Sequence, residues 1–297
     1  MYNHPGHLFL EQHDTVQTIE DVLAYVHFLR RRANLDDLAP ANLPAIYEHF
    51  GIPTPKRAAL PNQQGLLLLP EMGLILINQD DLETRQRFTE AHELMELLFN
   101  ALPDGKGWAI HQKAPFKHGT KEWLCNRGAA DLLMPPKVFE TRAREEGVSF
   151  NTAQKLSRAY YVSPTAALVQ LARLAPTPHA VVLWRMKHKK ADETRKNHPG
   201  QMSLFGDPPP GPAQKLRVEW VLRGQGFLIP QNKSVPEQSV IFAAWQRGQF
   251  TTGEEVLDLG AVQGLFRSEN LPFEVAGERR VLSLLEWRNS SGGIRPV

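Results

Sequence analysis

His92, Glu93 and Glu96 stand in the order H-E-x-x-E within residues 82–99 (LETRQRFTEAHELMELLF), a segment free of glycine and proline. On an α-helix, residues four apart project from one face. His92 and Glu96 are therefore placed to offer an imidazole nitrogen and a carboxylate oxygen to a single ion. A catalytic zinc takes about three protein ligands and keeps one position open for water. In the familiar H-E-x-x-H arrangement, the glutamate beside the first histidine serves as general base. Here the fifth residue is a carboxylate, a competent but harder ligand. The bare pattern also arises by chance in a glutamate-rich helix. On the residues alone, His92 can be a histidine at the edge of a core, and Glu96 a solvated helix-face residue.

The elements that must position these groups are legible around them. Phe88, Ala91, Met95, Leu98 and Phe99 fall on or near one face of 82–99, which predicts a core-facing helix. A helix is expected over 18–34 after a capping Thr18, and a shorter one over Leu43–Phe50, ended by Gly51 and Pro53. The runs GLLLLP and GLILIN, separated by turn chemistry, predict a β-hairpin. A loop rich in Gly, Pro, Lys and His (102–120) leads into a helix expected from Lys121 to Met134, stopped at Pro135-Pro136. Two further helices are predicted at 151–160 and 164–174, the second with Ser163 as N-cap and Pro164 in its first turn.

Composition narrows the class. The 297 residues are 42% hydrophobic and 22% charged, which is globular material for one large or two ordinary domains. A net charge of +2 gives no global field toward nucleic acid, and direct nucleic-acid binding is not expected. The single cysteine, Cys125, excludes an internal disulfide framework and fits a reducing compartment. The first residues lack a basic and then apolar leader, and no apolar run approaches a membrane span, so a soluble cytoplasmic protein is expected.

Several separate blocks share one further property. The hairpin ending LILIN, the segment RQRFTEAHE, the segment EWLCNRGAADLLMP at 122–135 and the following VSPTAALVQLARLAP stand in an order and spacing that resembles the ImmA/IrrE family of bacterial metallopeptidases. The resemblance covers roughly residues 60–185. It implies an α+β fold: a mostly helical, zincin-like peptidase domain with a small β-hairpin or sheet and a helical module. It implies His92 as first metal ligand, Glu93 as general base and Glu122 as third ligand. Glu96 occupies the place where the family usually has histidine. That exchange makes the ligand set more anionic, so Mn²⁺ becomes plausible beside Zn²⁺, and bound water should be less acidified. The implied substrate is a helix-turn-helix repressor, cleaved in a stress or defence response. The rival reading is a degenerate scaffold that binds a repressor or a sliding clamp without hydrolysis.

Other readings stay open on the residues alone. Glu122 can simply complement a helix dipole, and Cys125 reads as a buried structural thiol. Asn126 and Arg127 receive no role, and His111 and His118 are loop histidines. The domains expected are 1–175 (peptidase with helical module), 176–213 (connecting segment and linker) and 214–297 (small α+β domain, placed where some family members carry a GAF-like sensor). Within the linker, Gln201-Met202-Ser203-Leu204-Phe205 resembles the short motif by which bacterial proteins dock on the replication sliding clamp, with Gln201, Leu204 and Phe205 as its anchors. Lys187, Lys189, Lys190, Arg195 and Lys196 form a basic run read as a solvated linker.

Overall fold

A computed structural model describes the chain except for residues 14, 15, 17, 103–120, 190–212, 224–227, 261 and 289–297. His111, His118 and the motif at 201–205 lie outside the described residues. The architecture is α+β, with nine helices and two sheets among the described residues. Two compact units are distinguished: Met1–Thr141 with Ala153–Gln170, and Arg142–Thr152 with Leu171–Val297. No described helix is long and apolar enough to cross a membrane.

The first unit begins with α1 (Pro5–Leu10), α2 (Ile19–Arg32) and α3 (Leu43–Phe50). Thr18 and Asp21 close a capping box at the start of α2, and Gly51 ends α3 with φ +65°, which glycine adopts without penalty. A three-stranded sheet follows: β1 (Lys56–Ala58), β2 (Gly65–Leu69) and β3 (Leu74–Asn78), in the order β1-β3-β2. The expected hairpin is the antiparallel β2–β3 pair, joined by a 3₁₀ turn over Pro70–Met72. β1, which the sequence did not betray, pairs in parallel with β3 over three residues. Ile75 and Ile77 alternate inward along β3.

The central element is α4 (Glu83–Asn100), packed on α1, α2, β2 and β3. Its residues 89–91, 93–95 and 97–99 are all buried, so between Thr89 and Phe99 only His92 and Glu96 are half-buried. Against it lies α5 (Lys121–Leu133). Gly128 makes this approach possible: a Cβ there would meet Met95 Sδ at 2.6 Å and Val22 Cγ1 at 3.1 Å. Arg30 of α2 donates to the Leu132 carbonyl. Three more helices follow: α6 (Pro136–Glu145), α7 (Phe150–Tyr160) and α8 (Pro164–Leu174). Pro135-Pro136 was expected to stop a helix; Pro136 also starts the next one, because its missing N–H is an orphan donor in a first turn. Gln170 of α8 donates to Asp131 Oδ1 (2.8 Å) and to the Met134 carbonyl (2.9 Å), tying this module to α5.

The second unit is built on an antiparallel sheet of β4 (His179–Lys187), β5 (Lys215–Arg223), β6 (Thr251–Asp258), β7 (Gln263–Val275) and β8 (Glu278–Arg288), in the order β5-β4-β8-β7-β6. Helix α9 (Val240–Arg247) packs on β6, β7 and β8. β4 lies inside the stretch read as a connecting segment, yet it is an inner strand with Ala180, Val181, Val182 and Trp184 buried. A buried polar chain stitches the sheet: Trp184 Nε1 donates to Ser283 Oγ, Ser283 Oγ to Asn270 Oδ1, and Asn270 Nδ2 to Ser268 Oγ.

Candidate metal centre

The facing sides of α4 and α5 bring together the four groups singled out in sequence. His92 Nε2 stands 3.6 Å from Glu96 Oε1 on its own helix and 3.5 Å from Glu122 Oε2 on the neighbouring one. Two donor atoms on a tetrahedral ion with bonds of about 2.0–2.2 Å lie roughly 3.3–3.6 Å apart. Each separation, taken alone, is one that two donors on a small divalent cation have. The ring's other nitrogen, Nδ1, faces Asn126 Oδ1 at 3.1 Å. A proton on Nδ1 donated to that oxygen leaves the Nε2 lone pair directed at Glu96 and Glu122, the usual way an outer partner orients a ligating imidazole. Asn126 was given no role in sequence; its signal was the four-residue spacing from Glu122 on one helix face.

Glu93 lies beside this group and is 6% exposed, against 67% for the side chain of Glu122. Strand β2 walls it in: a Cβ on Gly65 would come within 3.0 Å of Glu93 Oε1, so only glycine lets the strand pass this close. Gly65 is a second residue that spacing did not reveal. Among the described residues Glu93 makes no hydrogen bond or ion pair. Burial, and next the negative charge of Glu96, push its pKa up to about 7.

The neighbours respond in the opposite sense. Burial works against a charge on His92, but Glu96, then Glu93 and Glu122, outweigh it and hold the imidazole above its usual range. Burial likewise raises Glu96, but contacts with His92 and Lys121 prevail and hold its carboxyl below the usual range. Lys121 was not anticipated: its Nζ stands 2.7 Å from Glu96 Oε2. The cluster thus favours positive charge where a cation would sit.

Cys125 presents a rival donor. His92, Glu96 and Cys125 offer atoms that all lie within 4.8 Å of one another, whereas Glu122 joins the group through His92. Cys125 is fully buried, and burial followed by Glu96 pushes its thiol well above the usual range. The mutually close trio holds Cys125, and Glu122 approaches it through His92 Nε2 alone.

A helix-borne imidazole, a carboxylate one turn on, a carboxylate from the adjacent helix and a buried glutamate beside them are groups that could hold and use a metal ion. Residues 48–172 match the family model described as Peptidase_M78, IrrE N-terminal-like domain. Over these residues, fewer than half of the chain, it is similar to that metallopeptidase family. It is 36% identical over 116 residues to the radiation response metalloprotease IrrE of Deinococcus deserti, covering 36% of this chain and 39% of that protein. To the protein of the same description from Deinococcus radiodurans it is 32% identical over 117 residues, covering 37% and 34%. The chain thus aligns with well under half the length of these relatives. A solved structure described as a Mycobacterium tuberculosis transcriptional regulator superposes with a TM-score of 0.55 at 12% identity, covering 96% of this chain and 81% of that one, a likeness of fold.

Proposed function

We propose that this protein is a metal-dependent endopeptidase with a zincin-like catalytic domain, and that it cleaves a helix-turn-helix transcriptional repressor in a stress or defence response. The observation that carries the reading is the placement of Glu96 Oε1 and Glu122 Oε2 at 3.6 and 3.5 Å from one imidazole nitrogen. His92, Glu96 and Glu122 would hold the ion, with Zn²⁺ as the first candidate and Mn²⁺ as the second because two donors are carboxylates. When bound, such an ion supplies a Lewis acid for the scissile carbonyl and acidifies water.

The chain's own groups do the rest. Asn126 fixes the His92 ring. Glu93, enclosed by β2 and poised near neutrality, takes the proton of the attacking water and delivers it to the leaving amine. The match of residues 48–172 to a metallopeptidase family model supports the peptide-hydrolysis class; the repressor as substrate rests on the family resemblance. In this reading residues 1–175 form the catalytic part, and the segment from 214 contributes strands to a GAF-like sensor module.

The test is cleavage of a helix-turn-helix repressor by the purified full chain. Glu93→Gln should retain metal and lose cleavage. Equal cutting by Glu93→Gln and the parent chain would refute the mechanism.

A further inference from the structure

Arg217 sits on β5, the edge strand of the second sheet, between Leu216 and Val218, which belong to the core. Alternation along the strand turns Arg217 to the other face, where it is only 9% exposed. Buried charges are ordinarily paired, yet this guanidinium has no carboxylate partner among the described residues. Nη1 donates to the Asn232 carbonyl at 2.9 Å, and Nε has no acceptor. The residue opposite it on β4 is another arginine, Arg185, and like charges in that register repel. The acids of this region are engaged elsewhere: Glu219 faces Arg280 at 3.5 Å and Arg185 at 3.9 Å, and Asp258 holds Lys233 at 3.0 Å.

Residues 232–235 run beside this edge, with Val218 N donating to the Lys233 carbonyl at 2.9 Å and Val235 N to the Leu216 carbonyl at 3.1 Å. Between them and β5 opens a cleft of about 600 Å³, a size that suits a small ligand. Lys189, Lys215, Arg217 and Lys233 line it, and Asp258 is the only acid among its described lining residues. No aromatic ring is among them, so the cleft offers charge and no platform for a base. We propose that it binds a small anion bearing two adjacent phosphoryl groups. A single phosphomonoester carries about −1.5 to −2 charge, so four cations against one acid suit two such groups better than one. Arg217 offers a planar fork of donors to one phosphoryl group, and the lysines add point charges. The cleft lies wholly within the second unit and is independent of any ion held between α4 and α5.

The experiment is calorimetric titration of the full chain with inorganic pyrophosphate in low-salt buffer, beside orthophosphate and sulfate at matched ionic strength. Pyrophosphate should saturate one site and bind roughly tenfold tighter than either comparison anion. Lys215→Gln, at an exposed position, should weaken it roughly threefold, and Arg217→Met roughly tenfold or more. Asp258→Asn should tighten it roughly threefold. That change releases Lys233 and keeps the Oδ1 that accepts from Gly260 N. An increase in affinity on removing an acid is a signature that a merely structural cluster would not give. If Arg217→Met misfolds, Lys215→Gln and Asp258→Asn carry the test. Pyrophosphate binding no tighter than sulfate would overturn the proposal, as would a dissociation constant that neither Lys215→Gln nor Asp258→Asn moves. So would a short single-stranded DNA that binds tighter than pyrophosphate and responds to the same substitutions, since the cleft would then be part of a nucleic-acid track.

Discussion

Glu90 and Glu93 lie three residues apart on the same helix and are equally buried, at 6% exposed each, yet they are provided for in opposite ways. Glu90 accepts from the Tyr47 hydroxyl at 2.8 Å and pairs with Arg57 at 2.7 Å, joining α4 to α3 and β1. Glu93 has no such partner among the described residues and is pushed up to about 7. A buried carboxylate whose oxygens are satisfied is structural. One whose pKa is raised by burial and a like charge, against the pull of its cationic neighbours, is available to move a proton. The same contrast separates the two units: the Trp184–Ser283–Asn270–Ser268 chain closes its hydrogen bonds within the second sheet, while the α4–α5 cluster keeps half-open charged groups in competition.

The sharpest way to break this comparison is to neutralise each glutamate in turn. Glu93→Gln should reduce peptide cleavage by about a hundred- to ten-thousand-fold with metal retained. Glu90→Gln should leave cleavage within a few-fold but cost about 1–3 kcal/mol in denaturant unfolding, because Arg57 loses its charged partner. The reverse pattern would abolish the distinction. A smaller effect is expected from Gly65→Ala, whose methyl group would meet Thr89 Cγ2 at 2.4 Å and Glu93 Oε1 at 3.0 Å and so shift that turn of α4. Cleavage should fall roughly ten- to a hundredfold with metal content unchanged, since a misplaced general base loses geometry rather than identity.

A pH titration sharpens the contrast further. The folded pKa of Glu93, about 7, lies above the ordinary carboxylate value. A raised carboxyl pKa contributes stability that is fully present below the unfolded value and lost as pH rises through the folded one. With metal removed by chelator, the parent should therefore lose stability between about pH 5 and pH 8 relative to Glu93→Gln. Parallel curves would show that Glu93 is not perturbed. The smallest effect is expected at Cys125. Cys125→Ala should keep bound metal at parental stoichiometry and cost about 1 kcal/mol; loss of metal would make the thiol a ligand in place of Glu122.

Much of this scaffold was legible because periodicity and turn chemistry agree locally. The cap at Thr18, the Gly51 stop, the β2–β3 hairpin and helices α4, α5, α7 and α8 follow from runs of ten or so residues that read the same way throughout. The elements missed are those that depend on partners distant in sequence. β1 is three residues long and exists only against β3. β4 has the buried apolar run of an inner strand, but the lysine-rich stretch that follows it reads as linker. In the site, the H-E-x-x-E spacing located His92 and Glu96, and the family resemblance located Glu93 and Glu122. Gly65 and Lys121 were hidden because their roles arise from strand β2 and helix α5 meeting α4 in space. The surplus of carboxylates was the available clue that a cation had to be nearby.

The central claim is that His92, Glu96 and Glu122 together hold a divalent ion between two helices. Elemental analysis of the purified full chain beside His92→Ala, Glu96→Ala and Glu122→Ala tests it most directly. The expected result is about one divalent ion per parent chain, with each substitution removing most of it while the fold persists. A parent chain free of metal after reconstitution with Zn²⁺ and Mn²⁺, or three variants that all retain it, would contradict the claim.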